Sequence, residues 1–354
     1  MDSKQLTEYI MSFKNIFTIE NGIGVVTVLV CSFIYVGLKS RTYKCAKSKK
    51  NGKMSCINEV DYIQPLCNYT IKASYSSCAL GNFRNNYVDL CALKNVIKQG
   101  CRFLDFQVFS VKGDPVVAVS SVSSYNEKGS YNSIPLDDVI HCIKNNALAT
   151  SCGASGICPN PYDPLILHFR INSNEINIYN KIASSLSTIL MDTLLDNRYS
   201  LSNNSTTSNG YANNIWTTLK LGDALGKAII MINGSGNKLE QSKLYEVANV
   251  NSDNGAYTTV IPFQNVNFKG TDGTTNTEYY SDNNKLKMNI VVPTSKYYPI
   301  NYNAKECFKL GIQVCCMCFQ KENPQLKEYN AFFNKDGKAF IPKNRYYMDV
   351  PLYI

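Results

Sequence analysis

Histidine is nearly missing from this chain of 354 residues, which has two, His141 and His168. Imidazole is the side chain whose ordinary pKa lies nearest neutrality, so it is the usual proton carrier in acid–base catalysis. A reaction that needs two histidines could draw on this pair alone. His141 sits in the middle of the amphipathic stretch IPLDDVIHCIKNNAL, on a predicted helix, while His168 sits in the strand-like run PLILHF. Tryptophan is rarer still, with Trp216 in NNIWTTLKLGDALGK read as a core residue or an interfacial anchor. Acidic residues are also outnumbered, 27 against 36 basic, giving a net charge of +9. That excess suits an anionic surface, but no nucleic-acid module is recognisable.

Long apolar runs are scarce too. One stands out, NGIGVVTVLVCSFIYVGL between Glu20 and Lys39, about as long as the shortest membrane-spanning helices. It lies too far from the start, and lacks the basic flank and small-residue site, to be a cleaved signal peptide. We read it as a single-pass transmembrane helix at 21–38. Lys39, Arg41, Lys44, Lys47, Lys49, Lys50 and Lys53 follow it, against a mixed flank before it. Positive charge stays on the cytoplasmic side, which places the following domain there. Lys44, Lys47, Lys49, Lys50 and Lys53 would then lie against anionic lipid headgroups, each worth about 1 kcal/mol. The expected organisation is an N-terminal tail (1–20), the helix (21–38), a basic juxtamembrane linker (39–59) and one domain (60–354).

Cysteine usage points the other way. Fourteen cysteines are many for a reduced compartment. Cys152 and Cys158 bracket a loop short enough for a disulfide. Cys315, Cys316 and Cys318 look like a zinc cluster but fall in a predicted buried strand, so they are read as free thiols and no metal site is expected. An oxidised barrel outside the cytoplasm thus stays open beside the cytoplasmic one; a virion membrane protein oxidised after cytosolic assembly would reconcile both signals. Asn68, Asn204 and Asn233 head N-x-S/T acceptors, which matter only for a lumenal domain.

The remaining domain alternates β-like runs (PVVAV, PLILHF, KAIIMI, MNIVV, QVCCMCF) with helical or loop stretches, at a length that holds a barrel of about 250 residues. Polar stretches at 197–214 and 249–284 read as long insertions. Five segments carry a resemblance, in order: IKASYSSCALG, KNVIKQGCRFLDFQVF, GDPVV, DPLILHFRIN and INYNAKECFKLGIQVCCMCFQ. Together they resemble the phosphoinositide-specific phospholipase C-like phosphodiesterases, which implies an α/β fold, a (β/α)8-type TIM barrel.

What that resemblance implies for the site is loss. The family's catalytic His and calcium-binding Asn fall on Tyr75 and Ser76; its calcium pair falls on Phe103 and Asp105. Its second catalytic His falls on Val119 or Ser120, and its calcium-binding Glu on Arg170. Positions that grip the inositol phosphates fall on Met231, Asn233 and Ile290. With both histidines gone, turnover should be lost, and Arg170 would put positive charge where calcium sat, so no cofactor is expected. Asp105, His168, Arg170 and Tyr75 are the candidate pocket, with an Arg170–Asp105 salt bridge replacing the ion. His168, two residues from Arg170, shares its strand face and is either a packed interior residue or a lone displaced base. The expected function is a membrane-anchored pseudoenzyme, a structural or binding protein with an unknown protein partner. The alternative is a divergent calcium-independent phosphoric diester hydrolase acting on phosphatidylinositol-type lipids.

Overall fold

The computed structural model describes residues 19–47 and 54–343, apart from 123–126, 152–155, 204–213, 235–236, 254, 270–282 and 295–296. The chain forms two units, residues 1–47 and 48–354.

In the first unit a helix runs from Ile19 to Lys47. Its side chains from Ile23 to Val36 are exposed on all sides and overwhelmingly apolar. A helix apolar all round has no polar face for water. Among the described residues, however, no helix is long and apolar enough to cross a membrane. The expected span at 21–38 is helical, within Ile19–Lys47. Lys44 and Lys47 fall in the helix's last turns, while Lys49, Lys50 and Lys53 lie outside the described residues.

The second unit is a barrel. Eight parallel strands follow the order β7 (Val250–Asn251), β6 (Ala228–Asn233), β5 (Leu165–Asn172), β2 (Phe103–Val111), β1 (Tyr69–Ser74), β10 (Val314–Met317), β9 (Met288–Val292) and β8 (Thr258–Pro262). No pairing joins β7 to β8 among the described residues, so the barrel is nearly closed, with its seam there. The expected α/β barrel is thus the observed architecture. Strands β3 (Asp114–Ala118) and β4 (Ile134–Pro135) extend β2 as an antiparallel flap, and β11 (Phe340–Pro342) lies antiparallel on β1. Sequences such as LILHFRIN and AIIMIN form strands because both faces are covered, one by the barrel interior and the other by helices, which favours continuous apolar runs. Packed outside are the helices Leu90–Lys98, Leu136–Ala147, Ile176–Leu190 and Pro324–Asp336.

Two boundaries differ from expectation. The linker does not extend to residue 59, because Ser55 N donates to Gly337 O at 2.8 Å and Ile57 N to Asp163 Oδ1 at 2.9 Å, pinning 54–59 to the barrel's floor. The polar stretch 249–284 is not one insertion, since it contains β7 and β8. TTVIP is short and β-branched enough to pair with β9, and its Asn- and Thr-rich neighbours masked the signal. Residues 204–213 and 270–282, the hearts of both proposed insertions, lie outside the described residues.

The cysteines also resolve. Cys158 is a free, buried thiol facing Asn160 Oδ1 and Arg102, so the expected Cys152–Cys158 disulfide does not form; the buried Arg102 guanidinium holds that sulfur inward. Cys152 lies outside the described residues. Among the described residues, Cys45, Cys56 and Cys91 are disulfide-bonded. Cys315, Cys316 and Cys318 are free and buried, with the adjacent Cys315 and Cys316 on opposite faces of β10, so the three cannot converge on one ion. Trp216 is core, donating through Nε1 to Thr258 Oγ1 at 2.9 Å.

Candidate functional site

Strand register decides which side chains meet. Asp105 on β2 pairs with His168 on β5, and that with Met231 on β6; one step up, Gln107 pairs with Arg170 and Asn233. Paired residues of parallel strands point to the same side, so Asp105, His168 and Arg170 all face the barrel interior near its C-terminal mouth. Tyr75 and Ser76 follow β1 on the same rim.

Arg170 closes on Asp105 with both ends of its guanidinium, Nε to Oδ1 at 2.8 Å and Nη2 to Oδ2 at 2.7 Å. This two-point geometry is the strongest arrangement open to the pair. Ser76 joins them, its backbone N–H donating to Asp105 Oδ2 at 2.9 Å and its Oγ accepting from Arg170 Nη2 at 3.2 Å. Ser76 adopts a left-handed backbone (φ 47°), unusual for a non-glycine residue, and these two bonds hold it there. Arg170 stacks on Tyr75, its Cζ 4.4 Å from the ring centroid. Full burial alone would push the Asp105 carboxyl up; the Arg170 charge, helped by His168, outweighs it and holds the carboxyl well below the usual range. Burial would likewise lower Arg170, but the Asp105 carboxylate outweighs that and raises it.

His168 completes the layer. Its Nδ1 lies 3.0 Å from Asp105 Oδ1, in contact but off the line of a straight hydrogen bond. Its Nε2 meets Ser252 Oγ at 3.1 Å, and its ring packs on Phe103 at 5.9 Å between centroids. Phe103 and Val119, two positions the sequence resemblance singled out, are both buried. Ser120 N donates to Gln107 Oε1, Asn233 Oδ1 accepts from Ile171 N, and Met231 and Ile290 are fully buried. His141 is exposed on an outer helix.

The expected quartet therefore assembles: Asp105, His168, Arg170 and Tyr75 meet in one cluster. Sequence reasoning missed Ser252. It stands in NVNSDNG, a stretch read as insertion, and no pattern there announces a strand end at the barrel mouth.

Residues 62–214 match the family model "Phosphatidylinositol-specific phospholipase C, X domain". Over that stretch the chain is similar to the phosphatidylinositol-specific phospholipases C. It is 31% identical over 128 residues to 1-phosphatidylinositol 4,5-bisphosphate phosphodiesterase 1 of Saccharomyces cerevisiae, a match covering 36% of this chain and 12% of that protein. Its fold is similar to crystal structures of PLC21 from L. pealei (TM-score 0.56, 14% identity, 79% of this chain and 37% of that one) and from S. officinalis (TM-score 0.54, 14% identity, 80% and 37%). The chain spans little more than a third of those proteins at most. A phospholipase C-like barrel of this family implies calcium, and the side chains here do not fit that ion. Of the aligned positions only Asp105 offers a carboxylate, and both its oxygens are taken by Arg170 and Ser76. Calcium takes six to eight oxygens, and a guanidinium fixed among them opposes any cation.

Proposed function

We propose that this phospholipase C-like barrel has given up calcium- and histidine-dependent cleavage of inositol lipids and acts as a structural or binding protein at a membrane. The observation that carries the reading is the two-point Arg170–Asp105 pair standing where the family's metal and its ligands would meet. Phe103 and Val119 support it, since neither can move a proton. The apolar helix Ile19–Lys47 serves as a single-pass anchor in this reading, with 21–38 in the bilayer and Lys44, Lys47, Lys49, Lys50 and Lys53 at anionic headgroups. The charge asymmetry puts the barrel on the cytoplasmic side; the bonded Cys56 and Cys91 fit a virion membrane oxidised after assembly.

The test is hydrolysis of phosphatidylinositol by the full chain in detergent micelles, with calcium and with EDTA. No turnover above background under either condition is the expected result. Calcium-dependent turnover would overturn the reading. A second reading, a calcium-independent phosphodiesterase, is favoured by one observation, the contact of His168 with Asp105. Turnover that is equal in EDTA and lost in His168→Ala would establish it.

A further inference from the structure

We draw no further inference here: the strongest candidate, the cleft of about 490 Å³ outside the barrel between the turn joining β2 to β3 and the helices Leu136–Ala147 and Ile176–Leu190, is lined by apolar Val111, Pro115, Val116 and Leu136 and by the Lys181–Asp114 ion pair, and nothing in the structure shows what covers it.

Discussion

Asp105 carries more of this site than any other residue, because one carboxylate answers Arg170, His168 and the Ser76 backbone together. Removing the guanidinium leaves that charge buried with too few donors. Arg170→Met is therefore expected to cost about 3 kcal/mol in denaturant unfolding, the low end for breaking a buried pair because Arg170 is partly exposed. Asp105→Asn combined with Arg170→Met should cost clearly less than the sum of the single changes, which a double-mutant cycle measures directly. A second buried charge behaves differently. Lys72 points from β1 toward the outer helices, with its Nζ 2.8 Å from Gln99 O, and burial lowers its pKa to about 8 from 10.5. A lysine whose folded pKa is depressed penalises the fold fully below pH 8, and the penalty fades as pH rises toward 10.5. Lys72→Met is thus expected to be more stable than wild type at pH 7, by about 2 kcal/mol after the lost hydrogen bond, with the gap closing between those two pH values. Chemical denaturation at pH 7 and pH 10 measures it.

Among the elements, β1 and the helix Pro324–Asp336 set the rim where Tyr75 and Ser76 sit. Asn323 caps that helix through its side chain, Pro324 occupies the first turn, and Gly337 ends it in the left-handed conformation. Tyr329 projects from it and clamps β1, accepting from Ala73 N at 2.6 Å and donating to Ala73 O at 3.3 Å. Tyr329→Phe would strand the Ala73 N–H in the core, so a loss of about 2 kcal/mol is expected in thermal or denaturant melts. Elements like these were legible where one physical rule dominated. Apolar runs announced β5, β6 and β10, and the i, i+2 spacing put His168 and Arg170 on one face. The short strands β7 and β8 were not legible, because two and five residues within polar sequence leave no periodicity to read. Ser252 was lost with them. Arg170 and Asp105 could be paired on paper because the substitution of cation for carboxylate requires a compensating partner; the Ser76 contact required knowledge of its backbone, which no residue type reveals.

At the scale of the whole molecule the mouth of the barrel is built around an internal ion pair. In a metal-dependent barrel, bound calcium stabilises the folded state in proportion to its affinity and concentration. Here the guanidinium already neutralises the carboxylate, covering both of its oxygens from 2.7 and 2.8 Å. Binding calcium would first require breaking that pair in a buried setting, which costs more than an ion held by one carboxylate returns. Thermal unfolding of the full chain is therefore expected to be the same in millimolar calcium and in EDTA. The Arg170→Glu variant tests the cause: with two carboxylates facing one another in the interior, it should melt well below wild type, and calcium should recover part of the difference. A wild type stabilised by calcium would show that Arg170 leaves Asp105 when the ion is offered, and the ion pair would then be a gate on the metal site and not its replacement.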